Sequence, residues 1–254
     1  MFFVAVIHSF SIFSWYWDIE DNKSSKHQTR LKILHSNVLT SNQHFHLLTS
    51  LLEKEKPHMV ILQEINTDWI DGIKSALSDY KYRLEKPQND NFGIAIYSQL
   101  PFITSNVITL GNLGLASIEV TFTIDEQAVT LIATHPTPPL SDALYIARND
   151  QLIDAAKRIA SKSTAKILLG DFNVSMWSSD YLVMESISGL KNARQGFGIL
   201  PTWPANLPFP IIPIDHILVS DAFFVNDFNV GHNIVSDHLP IIVELALRKN
   251  DAAM

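Results

Sequence analysis

Asp, Glu, Asn and His recur at one kind of place in this chain, the point where an apolar run stops. Asn37 closes LKILHSNV, Glu64 closes HMVILQE and His135 closes AVTLIATH. Asp171 and Asn173 follow AKILLG, Asp215 and His216 begin DHILVS, and Asp237 and His238 stand before LPIIVELAL. Short apolar runs bounded by turn residues read as buried strands. A strand end is where a rigid core aims side chains into a cleft. One Asp after a strand is more often a turn or a helix cap. Six strand ends carrying only Asp, Glu, Asn, Gln and His point to a shared site.

These residue types fit one reaction. Carboxylates bind hard cations such as Mg²⁺, which prefers oxygen ligands and keeps several waters. Such an ion polarises a phosphoryl oxygen. A His beside an Asp is held in the tautomer that takes a proton from water. An Asn donates to a phosphate oxygen without adding charge. Hydrolysis of a phosphate ester uses all of these.

The elements that must position these groups alternate along the chain. Strands are expected over 31–38, 58–64, 92–98, 165–173, 214–220, 223–230 and 239–247. LASIEVTFTI and AVTLIATH flank Asp125-Glu126-Gln127 as a hairpin. Helices are expected over 41–56, capped by Ser41 and stopped by Pro57, over 67–80, and over 142–162. Hairpins mixed with helical connections imply an α+β fold of two packed sheets with helices outside.

QE at 63–64, TH at 134–135, GDFN at 170–173, IDHILVS at 214–220 and SDHLPI at 236–241 occur in the order of the endonuclease/exonuclease/phosphatase superfamily, which the chain resembles over residues 31–247. Asn37 sits where that family has its first-strand Asn, and GIAIYS resembles its central strand. The resemblance implies a DNase I-like, four-layer αββα sandwich, two mixed β-sheets packed face to face. It implies Glu64 as principal metal ligand, with Asn37 close to the same ion and Asp237 assisting. Mg²⁺ is the expected cofactor, with Mn²⁺ as a substitute. His238 is implied as general base oriented by Asp215, Asp171 as the group that positions or deprotonates water, and Asn173 and His135 as holders of the phosphoryl oxygens. His216 departs from the aromatic residue that many nuclease members carry there. His44 and His46 lie two apart and share no helix face, and His8, His27, His35, His58 and His232 have no motif around them. All of these read as surface histidines.

The chain has 254 residues and no cysteine, so disulfides, thiol catalysis and Cys-zinc sites are excluded. Nineteen Lys and Arg against 26 Asp and Glu give a net charge of -7, and no basic block is present. That balance disfavours a non-specific grip on long nucleic acid. Residues 1–17, MFFVAVIHSFSIFSWYW, are apolar and aromatic without a signal-peptide pattern, and as a helix would reach about 26 Å. The leader is a candidate membrane anchor or else a disordered or core-packed segment, and residues 18–30 read as a polar linker. The catalytic domain is expected over 31–250, as a monomer.

ARQGFGILPTWPANLPFPIIP, residues 193–213, holds five of the 12 prolines with Phe197, Trp203 and Phe209. It borders the Asp215 strand, either as a rigid strap or as an apolar rim. Arg194 and Trp203 of this segment and Arg148 of the 142–162 helix are candidate substrate contacts. Membrane-anchored bacterial members resemble this segment. Three readings follow: a membrane-associated phosphoesterase acting on a small or lipid-linked phosphate, a nuclease acting on DNA or RNA, and a non-catalytic binding module of the same fold.

Overall fold

The computed structural model describes residues 12–17, 28–207 and 211–248. Two six-stranded mixed sheets face each other. The first runs in the order β11-β12-β1-β2-β4-β3. Its strands are β1 (Arg30–Asn37), β2 (Met59–Gln63), β3 (Tyr82–Lys86), β4 (Ile94–Ser98), β11 (Phe223–Val230) and β12 (Ile241–Leu247). The second runs β5-β6-β7-β8-β10-β9. It contains β5 (Phe102–Leu110), β6 (Leu115–Ile124), β7 (Gln127–Thr134), β8 (Ala165–Asp171), β9 (Lys191–Asn192) and β10 (Asp215–Val219). Helices α1 (Phe45–Glu55) and α2 (Thr67–Ile73) cover the first sheet. Helices α3 (Asp142–Ala160) and α4 (Ser179–Ser188) cover the second. This is the DNase I-like α+β sandwich.

Successive side chains on a strand point to opposite faces, and on β1, β2, β7, β8, β10 and β12 the odd positions face the other sheet. Leu31, Ile33, Met59, Ile61, Leu131, Ala133, Ile167, Leu169, Ile217 and Val219 all pack into the core between the sheets. Even positions such as Leu34, Val60 and Leu62 pack under α1 and α2. Ile132, Leu168 and Leu218 pack under α3 and α4. Buried on both faces, these strands read as continuous apolar runs.

The helices begin and end on local chemistry. Asn66 accepts the Trp69 N–H at 3.0 Å and starts α2, and Ser141 accepts the Leu144 N–H at 3.3 Å and starts α3. Gly189, at φ 64, ends α4. Expected boundaries move for the same kind of reason. The first helix starts at Phe45, not Ser41, because Asn42 is held by Val38 and Ile234 carbonyls and by the His44 N–H. The second is α-helical only to Ile73, after which i→i+3 bonds such as Ala76 N to Ile73 O form tighter turns. Strands β3 and β5 and helix α4 were not foreseen. The two strands are exposed sheet edges without a buried alternation, so no period marks them.

Candidate active site

The core between the sheets ends in polar side chains. On β1 the inward series Leu31, Ile33 continues as His35 and Asn37. On β2 Met59, Ile61 continues as Gln63, on β8 Ile167, Leu169 continues as Asp171, and on β10 Val219, Ile217 runs back to Asp215. Parallel pairing of β1 with β2 and β7 with β8 brings four C-terminal ends together. Antiparallel β10 and β12 add their N-terminal ends.

Gln63 locks the sheets to each other at this end. Its Nε2 donates to Thr134 O at 2.9 Å, and its Oε1 accepts the Asp171 N–H at 2.8 Å. Gly170 is obligatory beside it, because a Cβ there would meet Thr134 O at 2.0 Å at a φ of 149°. Glu64 has φ 59, which turns it out of the strand alternation. Its Oε1 accepts from Asn37 Nδ2 at 2.9 Å, and Asn37 also reaches Asp171 Oδ2 at 3.2 Å. Asp171 lies between two imidazoles, His135 Nε2 at 3.4 Å and His238 Nε2 at 3.5 Å. The Nδ1–H of His238 donates to Asp215 Oδ2 at 2.9 Å. Ser236 ties this loop to β1 by donating to Asn37 O and accepting the His238 N–H.

A cleft of about 270 Å³ opens on these groups, lined by Glu64, His135, Asp171, Asn173, Asp237 and His238, with Trp203 and the loop Asp90, Asn91, Phe92 at its sides. Trp203 donates Nε1–H to Asp237 Oδ2 at 3.3 Å, and its ring lies 6.5 Å from that of His238. Asn173, at φ 52, hydrogen-bonds Pro136 O. Charge is unevenly distributed. Burial alone would raise Asp171, but His238 and His135 outweigh it and hold the carboxyl below its ordinary range. Burial likewise opposes ionisation of Asp215, yet His238 and His35 hold it well below. Glu64 is raised, chiefly by burial. Burial disfavours the charged ring of His238, but Asp215 and Asp171 prevail and raise it to about 10.

Three expectations need correction. Arg194 is wholly buried, its Nη2 donating to Asp215 O at 2.9 Å and its Nη1 to His216 Nδ1 at 3.3 Å. It braces the strand from behind and cannot reach a substrate. Arg148 is also buried and committed to Asn149, Asp180 and Asn173 O. His35, read as a surface residue, is fully buried with Nε2 3.2 Å from Asp215 Oδ1. Its position two before Asn37 was the available signal, since i and i+2 share a strand face. His44, His46 and His232 are exposed, and half-buried His58 accepts the Lys32 N–H. His8, His27 and Phe209 lie outside the described residues. Of the leader, residues 12–17 are described. Trp15 O accepts the N–H groups of Gly196 and Gly198. No helix among the described residues is long and apolar enough to cross a membrane.

A DNase I-like sandwich whose inter-sheet core ends in carboxylates, Asn and His defines a class, the hydrolytic phosphoesterases that depend on a divalent metal. The model of the Endonuclease/Exonuclease/phosphatase family matches residues 33–238, and the chain belongs to that family. No curated protein matches it in sequence. Solved structures share its fold. D. rerio TDP2 complexed with single strand DNA product superposes with a TM-score of 0.73 at 17% identity, covering 85% of this chain and 99% of that one. An endonuclease/exonuclease/phosphatase family protein from Bacteroides thetaiotaomicron gives 0.71 at 17%, covering 88% and 100%. The human Nocturnin catalytic domain with bound sulfate gives 0.69 at 18%, covering 86% and 95%.

Proposed function

We propose that residues 31–250 form a monomeric phosphodiesterase or phosphatase that works with Mg²⁺, for which Mn²⁺ substitutes. The observation that carries this reading is the Asp171 carboxylate bracketed by His135 and His238, in the cleft that Glu64 and Asp237 also line. The donors fit a hard cation. Asp171, Asp215 and His238 lie within 4.8 Å of one another, but Asp215 is consumed by hydrogen bonds to two histidines. Glu64 suits the ion better, because its burial penalty falls beside positive charge. Asp237 Oδ1 is buried without a hydrogen-bond partner among the described residues. Glu64, with Asn37 beside it and Asp237 in the same cleft, would hold the ion. Bound there, it polarises a phosphoryl oxygen and stabilises charge on the leaving oxygen.

The chain's own groups do the rest. Asp215 accepts the Nδ1–H of His238 and leaves Nε2 facing Asp171. His238 Nε2 takes the proton of the attacking water, and ionised Asp171 accepts a hydrogen bond from that water and orients it. The raised value of His238 belongs to the metal-free protein, and positive charge beside the neighbouring carboxylates lowers it. Asn173 and His135 hold the phosphoryl oxygens. With bis-p-nitrophenyl phosphate and Mg²⁺, Glu64→Gln should lose activity by orders of magnitude. Turnover that persists in saturating EDTA would sink the metal-dependent reading.

A small or lipid-linked phosphate suits this cleft better than a nucleic acid strand. None of its described lining residues is Lys or Arg, and a polyanion grip needs several. Exposed Leu140, Trp177, Leu207 and Val235 stand two to four residues from the lining residues Pro138, Asn173, Trp203 and Asp237. This apolar rim, with the exposed Phe13, Tyr16 and Trp17 of the leader, supports work at a membrane surface. The nuclease reading draws on the likeness to D. rerio TDP2 with its single strand DNA product. A Mg²⁺ assay on a short-chain phospholipid, a polyprenyl pyrophosphate and a single-stranded oligonucleotide separates the two. Cleavage of the oligonucleotide alone would overturn the lipid-linked preference.

A further inference from the structure

We propose that His35 is a positioning residue that fixes the Asp215 carboxylate, and through it the ring of His238. The inference rests on the hydrolase reading above. His35 Nε2 lies 3.2 Å from Asp215 Oδ1, and His238 Nδ1 lies 2.9 Å from Asp215 Oδ2. Each oxygen of one buried carboxylate therefore meets its own imidazole. Both rings come from the first sheet, His35 from β1 and His238 from the loop before the neighbouring β12, and Asp215 reaches them from β10 of the second sheet.

The tautomer follows from burial. His35 Nδ1 is buried without a partner among the described residues. A proton there would be a buried, unpaired donor, whereas a bare lone pair costs less, so the proton sits on Nε2 and is donated to Asp215. Packing alone gives no reason for a His at this position. The preceding inward residues of β1, Leu31 and Ile33, belong to the apolar core.

The need for a second donor comes from the Asp side chain. Its terminal torsion is broad and roughly two-fold, so a single hydrogen bond to His238 leaves the carboxylate plane loosely set. The backbone of Asp215 is already pinned. Its N–H reaches Thr202 Oγ1 at 3.4 Å, and its carbonyl accepts from Arg194 at 2.9 Å. His35 removes the remaining freedom by occupying Oδ1. Oδ2 then points at His238 Nδ1, and His238 Nε2 is aimed at Asp171. Oδ1 without His35 would be a buried acceptor with no donor.

The test uses the full chain with Mg²⁺ and bis-p-nitrophenyl phosphate. His35→Leu fills the core position without a donor, and kcat should fall about 10–100-fold, the usual loss for such an outer partner, with KM little changed. His35→Gln restores an N–H and should recover most of kcat. In an Asp215→Asn background, His35→Leu should cost nothing further, because both act through one carboxylate. Turnover is not the only readout. In ¹⁵N-histidine NMR of the metal-free protein, the His238 Nδ1–H resonance should be sharp in the wild type and broadened by exchange in His35→Leu. This signal decides the proposal even if the chain is inactive on the probe, so the two readings fail separately. Wild-type kcat in His35→Leu with the resonance intact would overturn it, as would losses that add to Asp215→Asn. If His35→Leu does not fold, His35→Gln is read in the same spectrum, where a retained signal supports the proposal and a lost one overturns it.

Discussion

Asp-His occurs at 215–216 on β10 and again at 237–238 in the loop before β12. The fold uses the two pairs in opposite ways. On β10 the alternation of strand faces sends Asp215 into the site and His216 away from it. His216 is buried under α4, its ring 4.9 Å from Tyr181 and 5.5 Å from Phe172. Its Nε2–H donates to Val174 O, and its Nδ1 accepts from Asn192 and Arg194. In the loop the polarity is reversed: His238 enters the site and Asp237 stands at the rim under Trp203. One dipeptide thus turns its Asp toward the cleft and its His into the scaffold, and the other turns its His into the cleft with its Asp at the rim. Residue type names a chemistry, and strand parity decides whether it is used.

The largest contrast is between the histidines. His238→Ala should reduce hydrolysis by about 10²–10⁴-fold, the range of a positioned base, in a protein that stays folded, although losing the partner of Asp215 lowers its metal-free stability. His216→Ala should cost about 2–4 kcal/mol of stability, through a cavity and three stranded hydrogen-bond partners. Its folded fraction should remain active. Paired kcat and urea-unfolding measurements check this. An inactive but fully stable His216→Ala protein would break the division of roles.

The aspartates should divide the other way. Asp215→Asn replaces the acceptor of the His238 Nδ1–H with a group that can present a donor, and kcat should fall by at least about a hundredfold. Asp237→Asn keeps the rim contact with Trp203 and removes charge. Its main effect should be a higher Mg²⁺ requirement, read from activity against Mg²⁺ concentration. Equal kcat losses at saturating Mg²⁺ would place Asp237 in the proton-transfer machinery instead.

pH should separate the histidines a third way. Burial and Arg194 lower His216 from 6.5 to about 3. Below pH 6.5 the unfolded chain gains a proton that the folded protein refuses. Stability therefore falls as pH drops from 6.5 towards 3, by about 1.4 kcal/mol per unit. His238 has the opposite sign: raised to about 10, it contributes stability that is full below 6.5 and lost as pH rises through 10. Urea midpoints across this range in EDTA should show His216→Phe flattening the acid limb and His238→Ala the alkaline one. Asp171 and Asp215, held low against burial chiefly by His238, keep part of the acid limb in His216→Phe.

Much of the site was legible because apolar strands ending in Asp, Asn and His are visible without any knowledge of partners. The sandwich followed from the same runs. What was hidden depends on distance between sheets. Gln63 bonds across to Thr134 and Asp171, a pairing that no local spacing encodes. His35 was discounted because its neighbours form no motif, although its parity matched Ile33 and Asn37. Arg148 and Arg194 were credited to substrate because an Arg near a phosphate site suggests an anion partner. Burial gave both to carbonyls and side chains of the scaffold. The loop Asp90–Phe92 lines the cleft from a stretch with no strand-end signature.

The smallest predicted effect tests how firmly the rim pair is held. Asp215 is fixed by two imidazoles in the core, whereas Asp237 is held by one indole N–H at 3.3 Å. A neutral donor at that distance contributes about 0.5–1.5 kcal/mol. Trp203→Phe keeps a ring beside His238 and removes only this donor. It should raise the half-saturating Mg²⁺ concentration by roughly 2–10-fold and leave kcat at saturating Mg²⁺ near the wild-type value. Trp203→Ala also removes the apolar wall, so it should lose further activity on a lipid-linked phosphate while bis-p-nitrophenyl phosphate is spared that extra loss. Equal losses on both substrates, with a lowered melting temperature, would mean that Trp203 serves the fold by strapping the loop to the core. The preference for an apolar substrate would then rest on Leu140, Trp177, Leu207 and Val235, on the exposed leader aromatics, and on a described cleft lining without Lys or Arg.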